Sequence, residues 1–102
     1  MYEFSNDDTL TLDGLTVVKF YNDGCLPCKK LETVLLKMEK EFSEVNFISV
    51  DIDNNLKLAQ NYRIMSVPTL IFFLGSKEMS RVQGLIPTEK LRKEFKTFTG
   101  KK

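Results

Sequence analysis

The chain of 102 residues is 42 % hydrophobic and 28 % charged, the ordinary balance of a soluble globular protein, and it is long enough to bury one core. Fifteen basic residues oppose fourteen acidic ones, so the formal net charge of +1 gives no general attraction for nucleic acid or for an anionic membrane. The acidic N-terminus lacks the apolar segment of a signal peptide, and the longest apolar run is far too short to span a bilayer. We therefore expect residues 1–102 to form a single cytoplasmic domain that binds neither nucleic acid nor a membrane.

The first half of the chain predicts two strands joined by a long helix. Residues 2–4 predict a short edge strand, followed by a weak turn of helix over residues 5–12. Residues 15–21 are rich in β-branched and aromatic side chains, which is typical of a buried strand. Residues 28–42 carry apolar side chains at helical spacing, and residues 46–52 predict a second strand. A helix of this length between two strands indicates a right-handed parallel crossover.

The second half predicts a short helix, a hairpin and a last helix. Residues 53–55 supply a cap for a helix over residues 56–62. The apolar run 69–74 predicts a central strand covered on both faces, and a Gly-Ser turn leads from it into an antiparallel strand over 77–83. Pro87 is placed for the first turn of the last helix. This order indicates an α/β fold, a central four- to five-stranded mixed sheet flanked by helices on both faces.

The segment Cys25-Leu26-Pro27-Cys28 contains the only two cysteines of the chain. They lie one helical turn apart, between a predicted strand and a predicted helix. A thiol at the start of a helix faces unpaired backbone N–H groups and the positive end of the helix dipole, which favour its thiolate. A second thiol three residues further on is near enough to close a disulfide with the first. The pair can therefore switch between dithiol and disulfide.

Three other interpretations of the cysteines compete with this one. Structural zinc needs about four ligands, and the chain has no histidine and no third cysteine, so we expect no metal. A structural disulfide is a weak explanation because so small a loop constrains the unfolded chain little. Two inert core cysteines are an alternative, but Gly24 and Pro27 indicate a turn that exposes at least one sulfur. Two cysteines separated by two residues, beside a strand-helix-strand pattern, favour a redox centre.

Residues beyond the dicysteine segment strengthen the redox interpretation. The strand Val17-Val18-Lys19-Phe20 precedes the cysteines, and Asp51-Ile52-Asp53, Leu58-Ala59, Tyr62, Ile64 and Ser66-Val67-Pro68-Thr69 follow them. Together with Cys25-Leu26-Pro27-Cys28-Lys29, these segments resemble the thioredoxin family over nearly the whole chain. The resemblance implies a thioredoxin fold in which the proline before the central strand, Pro68, is cis and packs beside the dicysteine. The alternative is a trans proline that opens a strand.

The resemblance also implies an enzymatic activity and its residues. Cys25 would attack a substrate disulfide as the nucleophile, and Cys28 would resolve the mixed disulfide. The substrate groove would be formed by Gly24, Met65, Val67, Pro68 and Gly84. The function implied is reduction of protein disulfides in electron transport and cell redox homeostasis.

The expected cofactor and partners follow from the same resemblance. The redox-active disulfide would be the only redox group, and NADPH would serve indirectly, through thioredoxin reductase. Partners would be that reductase and protein disulfide substrates, and the protein would be a monomer. Two alternatives stay open. One is a donor dedicated to ribonucleotide reductase, a peroxiredoxin or methionine sulfoxide reductase, and the other is a non-catalytic binding subunit with the same fold.

Four features depart from the family pattern. Gly24 and Leu26 stand where the family usually has tryptophan and glycine, so the choice of partner should differ. Lys19 falls at the position of the family's buried acid, and Ser49 at that of the lysine that accompanies it. Arg63 stands where a glycine commonly ends the short helix, which costs on the order of 1 kcal/mol if its backbone is left-handed.

We expect Lys19, Asp23, Leu26 and Pro27 to tune the redox chemistry. Burying an ammonium is costly, so Lys19 either extends outward to solvent or has a lowered pKa. Because no acid occupies this position, water, Asp23 or the neutral amine of Lys19 would take the proton of Cys28. Pro27 has no N–H to stabilise the thiolate, so the couple should be reducing rather than oxidising.

Overall fold

The computed structural model describes residues 1–5 and 10–100, and within these it contains one five-stranded sheet and three helices. The strands are β1 (Tyr2–Glu3), β2 (Leu15–Tyr21), β3 (Asn46–Asp51), β4 (Thr69–Leu74) and β5 (Lys77–Gln83), and the helices are α1 (Leu26–Glu41), α2 (Leu56–Asn61) and α3 (Thr88–Thr99). The helical turn predicted over residues 5–12 falls mainly outside the described residues, and residues 10–12 are not helical. No helix in the described part of the chain has the length and apolar character needed to cross a membrane.

The strands lie in the order β1-β3-β2-β4-β5. The first three are mutually parallel, whereas β4 runs antiparallel to both β2 and β5. The parallel connection from β2 through α1 to β3 confirms the predicted crossover. The mixed sheet with strands of both directions is likewise confirmed.

The helices cover both faces of the sheet, as predicted. α1 and α3 pack on one face against Val17, Leu70 and Phe72. α2 packs on the opposite face against Val18, Phe20 and Ile71. Successive side chains of β2 therefore alternate between the two faces, as the pleat of a strand requires. This alternation places Lys19 on the same face as Val17, beneath α1.

Helix α1 begins at Leu26 and Cys25 is its N-cap residue, which confirms that the first cysteine lies at the start of the helix. The apolar periodicity starts only at Cys28, but Pro27 extends the helix toward its N-terminus because its fixed φ suits the first turn and its missing N–H has no partner there to lose. As a result, both cysteines belong to the first turn.

Helix α2 starts at Leu56 as predicted, but the cap at its start lacks the expected side-chain hydrogen bond. Asn55 is the N-cap residue but forms no capping hydrogen bond with its side chain. Its Nδ2 donates instead to the backbone oxygen of Asp51 at 2.9 Å, and the Asp51 carboxylate accepts from the Asp53 N–H and from Asn54 Nδ2. These bonds hold the loop after β3, so the polar cluster fixes a turn rather than the helix end.

The hairpin of β4 and β5 turns at Gly75-Ser76, as predicted. Its register shifts between Phe72, which faces Ser80, and Phe73, which faces Glu78. Met79 is thus the extra residue of a β-bulge. α3 begins one residue after Pro87, which is its N-cap and not part of its first turn.

Candidate active site

The two sulfurs of the dicysteine have different environments. Cys25 and Cys28 form a disulfide with their Cα atoms 5.2 Å apart. Cys25 is partly exposed, whereas Cys28 is 3 % exposed. The Cys28 N–H donates to Cys25 Sγ at 3.1 Å. A hydrogen bond of this kind stabilises negative charge on the outer sulfur.

The local backbone explains this arrangement. Gly24 has φ +84°, a left-handed conformation that favours glycine and that turns the chain from the end of β2 into the first turn of α1. Cys25 keeps an extended conformation, with φ −81° and ψ 106°, as an N-cap residue does. The prediction that the turn exposes at least one sulfur is confirmed, and two inert core cysteines are excluded.

Val67, Pro68 and Gly84 lie at the same edge of the sheet as the cysteines. Thr69, the first residue of β4, pairs with Phe20 near the end of β2, so the preceding Pro68 lies beside the chain that leads to Cys25. The Val67–Pro68 peptide bond is cis. The Gly84 N–H donates to the Pro68 oxygen at 2.8 Å, which joins the end of β5 to this edge.

Met65 is placed differently from the other predicted groove residues. It is 85 % exposed and lines an apolar cavity of about 450 Å³ beside α2, together with Ile52, Leu56, Ala59, Gln60, Arg63 and Ile64. The cavity at Cys28 is a separate one. Leu26 and Pro27 are both exposed in the first turn of α1, and Leu26 at 62 % presents an apolar side chain next to Cys25.

Lys19 is 4 % exposed, so the alternative that it extends outward to solvent is wrong. Burial lowers the pKa of its ammonium, and the nearby carboxylates of Glu32 and Glu3 partly oppose this shift. Its Nζ lies 4.7 Å from the centre of the Tyr21 ring, in the range of a cation–π contact. The predicted lowering of its pKa is confirmed in direction.

Lys19 and Cys28 line one cavity of about 170 Å³, whose remaining lining residues are Glu3, Tyr21, Asn22, Asp23, Lys29 and Glu32. The predicted proton acceptors Asp23 and Lys19 thus do lie beside the buried sulfur. The cavity also contains two carboxylates that the sequence analysis did not identify, those of Glu3 and Glu32. Its lining residues are mainly polar or charged, so the Cys28 side of the dicysteine faces ionisable groups.

Glu3 reaches the cavity through strand pairing. Glu3 pairs with Ser49, and Ser49 pairs with Lys19, so the three side chains form a row across β1, β3 and β2 on one face. The Tyr21 hydroxyl donates to Glu3 Oε2 at 2.8 Å. Burial, followed by this hydrogen bond, raises the pKa of Tyr21.

Glu32 reaches the cavity through the helix. It lies four residues after Cys28 in α1, a spacing that puts two side chains on the same helical face. That spacing was a signal available in the sequence. No group of three or more His, Cys, Asp or Glu side chains in residues 1–5 and 10–100 is arranged to hold a metal ion.

A partly exposed sulfur at a helix start, with a second sulfur buried behind it, defines a thiol–disulfide exchange site. On this sheet, with a proline-led strand at the same edge, it is the site of a disulfide oxidoreductase. The thioredoxin family model matches residues 3–97, and the chain belongs to the thioredoxin family.

Individual relatives agree with the family assignment. A thioredoxin of Chlamydia pneumoniae is 38 % identical over 80 residues, which is 78 % of each chain. Thioredoxin-2 of Saccharomyces cerevisiae is 39 % identical over 75 residues, 74 % of this chain and 72 % of the relative. The crystal structure of oxidised mitochondrial thioredoxin 3 from the same yeast shares the fold, with a TM-score of 0.84 at 21 % identity over 95 % of this chain and 94 % of that one.

Family membership fixes the general chemistry. Thioredoxins are disulfide oxidoreductases that exchange a dithiol for a disulfide and act with thioredoxin reductase and disulfide substrates. The family uses no cofactor. The Cys25–Cys28 pair of this chain is the redox-active disulfide.

Proposed function

We propose that Cys25 is the attacking thiolate and Cys28 the resolving thiol of a protein disulfide reductase. The observation that supports this division is the difference in burial, because only the sulfur that solvent reaches can meet a disulfide on another protein. The N-cap position of Cys25 also places it where backbone N–H groups and the helix dipole favour a thiolate.

Two exchange steps make up the reaction. Cys25 attacks the client disulfide, an S–S bond forms between Cys25 and one client sulfur, and the other client sulfur leaves with the electron pair of the broken bond. Cys28 then attacks Cys25 Sγ, closes the Cys25–Cys28 disulfide and releases the second client sulfur. Two electrons pass from the dithiol to the client, so the disulfide must be reduced again before the next cycle.

The client chain would lie along the edge of the sheet beside the dicysteine. Gly24, Val67, Pro68 and Gly84 are gathered there by the turn before α1 and by the pairing of β2, β4 and β5. Met65 extends this surface toward α2. Pro27 offers no N–H to the thiolate, which favours a reducing couple.

The remaining partners and the compartment are part of the same proposal. A flavin-dependent thioredoxin reductase that uses NADPH would restore the dithiol, and the protein would work as a cytoplasmic monomer of one domain. A donor dedicated to one client is the second candidate. The exposed Leu26 and the open position at Gly24 favour it. Where the family pattern has the flat ring of a tryptophan, this chain has an open position and an apolar side chain that projects beside Cys25.

Reduction of insulin coupled to NADPH oxidation by a thioredoxin reductase tests the proposal. We expect turnover with the wild-type protein and activity at background with Cys25→Ser, because the attacking sulfur is lost. The matched variant Cys28→Ser should also fail to turn over, since the mixed disulfide cannot be resolved. Retained turnover by Cys25→Ser would overturn the assignment, and full biological activity of the double serine variant would indicate a binding subunit instead.

A further inference from the structure

The cavity behind the dicysteine links the buried sulfur to solvent. Cys28 contributes to its wall from α1, and Glu32 lies one helical turn further along. A volume of about 170 Å³ has room for several water molecules, and the polar lining offers them hydrogen-bond partners. A proton can therefore move between Cys28 and the cavity wall without crossing the apolar core.

Cys28 must lose a proton before it can displace the client, because the thiolate is the nucleophile. The strand beneath it, β2, provides the ammonium of Lys19 rather than a carboxylate. Charged and titratable groups face the cavity from every side: Glu3 from β1, Lys19 and Tyr21 from β2, Asp23 from the following loop, and Lys29 and Glu32 from α1. Asp51 of β3 acts on Tyr21.

We propose that Glu32 accepts the proton of Cys28 through this cavity. In this proposal Lys19 is the positioning residue, whose ammonium attracts the Glu32 carboxylate into the cavity. The proposal rests on the proposed role of Cys28 as the resolving thiol. The carboxylate that assists resolution would then lie on α1, the helix that carries Cys28, and not on strand β2. The chain departs from the family pattern at Lys19, and Glu32 provides the compensation.

Glu32 is better placed for this role than the other carboxylates. Glu3 Oε2 already accepts a hydrogen bond from the Tyr21 hydroxyl, so that oxygen is occupied. Asp23 lines the same cavity, but it belongs to the loop before α1 and not to the helical face that carries Cys28. Glu32 shares a helical face with Cys28, is attracted by Lys19, and is exposed, so that it can pass the proton on to solvent.

The step balances in atoms and charge. The S–S bond between Cys25 and the client breaks, and the S–S bond between Cys25 and Cys28 forms. The client sulfur leaves with the electron pair as a thiolate. The proton of Cys28 goes to the Glu32 carboxylate and from there to bulk water.

The two sulfur steps can be observed separately with 5,5′-dithiobis(2-nitrobenzoate) and the reduced protein. The first coloured thiolate released reports attack by Cys25, and the second reports resolution by Cys28. The coloured thiolate leaves without taking up a proton, so the second release depends on the deprotonation of Cys28 alone. In Glu32→Gln we expect the second release to slow about tenfold near pH 6.5, less than a full general-base effect because cavity water can still take the proton. The first release should keep its wild-type rate.

The pH dependence and two further variants separate this role from a structural one. The deficit of Glu32→Gln should shrink as the pH rises and solvent deprotonates Cys28 without help. Glu32→Asp should recover most of the rate, and Glu94→Gln, which removes an exposed carboxylate from α3 outside the cavity, should match the wild type. A wild-type rate in Glu32→Gln, or a loss that is equal at every pH, would overturn the proposal.

The result also distinguishes the two proposals. If the wild-type protein released only one coloured thiolate, the role of Cys28 as the resolving thiol would fail. If it released both while Glu32→Gln resolved normally, only the role of Glu32 would fail.

Discussion

At the scale of single residues, Lys19 is the most unusual feature of the molecule. Lys19 is almost fully buried beneath α1, so its ammonium loses part of its hydration, and the attraction of Glu3, Glu32 and the Tyr21 ring only partly offsets that loss. Its presence therefore lowers stability at neutral pH. The side chain lines the same cavity as Cys28, which agrees with a role in the chemistry rather than in folding.

Replacing this ammonium by an apolar side chain of similar length should stabilise the fold. We expect Lys19→Met to raise the free energy of unfolding at pH 7 by about 1 kcal/mol, the lower end of what such replacements give. Urea unfolding would measure the change. Lys37→Met, which alters an exposed lysine of α1, is the control and should leave stability nearly unchanged.

The sign of the pH dependence follows from the lowered pKa of Lys19. Between that pKa and the ordinary value of 10.5, the unfolded chain binds more protons than the folded chain, so the contribution of Lys19 to stability rises with pH. The advantage of Lys19→Met should therefore shrink as the pH approaches 10.5. The raised pKa of Tyr21 acts in the opposite direction above about pH 10, but both proteins retain Tyr21. A constant difference at all pH values would contradict this account.

At the scale of elements, the end of α2 shows how a helix stops without glycine. Arg63 has φ +54°, and two hydrogen bonds close the motif, from the Arg63 N–H to the Gln60 oxygen at 3.0 Å and from the Ile64 N–H to the Ala59 oxygen at 2.9 Å. This is a Schellman motif, in which glycine usually occupies the left-handed position. The expectation of a left-handed, non-glycine residue here is confirmed.

Arg63→Gly should therefore stabilise the protein. Relief of the left-handed strain, less the added flexibility of the unfolded chain, should amount to about 0.5–1 kcal/mol. The urea midpoint should rise with no change in the slope of the transition. Arg63→Ala is the matched control, because it removes the same side chain but keeps the Cβ, and it should give no such gain. Equal gains in both variants would show that the side chain, not the backbone, was unfavourable.

The elements that could be predicted from the sequence are those in which local signals agree. The bounds of β2 and β4 match the prediction because their β-branched and aromatic runs end at glycine-containing turns. The bounds of β5 match because the chain turns at Gly75-Ser76 before it and breaks at Gly84 after it. The apolar spacing of α1 begins two residues after the helix itself because Leu26 and Pro27 of its first turn are exposed. Asn55 is the N-cap residue of α2 as predicted, but its side chain does not cap the helix, because the polar side chains after β3 bond within their own loop.

The cysteines, Lys19 and Asp23 were predicted as site residues, whereas the carboxylates of Glu3 and Glu32 were not. Glu32 has the sequence context of an ordinary exposed helix charge, and only the position of α1 over β2 directs it to Lys19. Glu3 lies far from the cysteines in sequence and arrives only because β1 pairs with β3. Such contacts depend on strand order, which a single sequence does not specify.

At the scale of the whole molecule, the sheet separates two cores and fixes the active site at one edge. Under α1 and α3, Phe95 packs against Phe42, Phe47 and Phe72 with ring centres 5.1–5.5 Å apart. Under α2, Tyr62 packs against Phe20 and Phe73. Aromatic packing on both faces holds the helices firmly on the sheet. The packing of α1 on the sheet leaves Cys25 partly exposed and buries Cys28, so the difference in exposure between the two sulfurs is a property of the fold.

Mapping of the mixed disulfide trapped by Cys28→Ser tests the central claim most directly. The variant would be reduced, mixed with a disulfide-linked peptide and analysed by mass spectrometry after proteolysis under non-reducing conditions, with Cys25→Ser treated in parallel. We expect Cys28→Ser to accumulate a peptide adduct on Cys25 and Cys25→Ser to accumulate almost none, because its remaining sulfur is buried. The account would be contradicted if Cys25→Ser formed an adduct on Cys28 as fast as Cys28→Ser forms one on Cys25. It would also be contradicted if Cys28→Ser formed no adduct on Cys25.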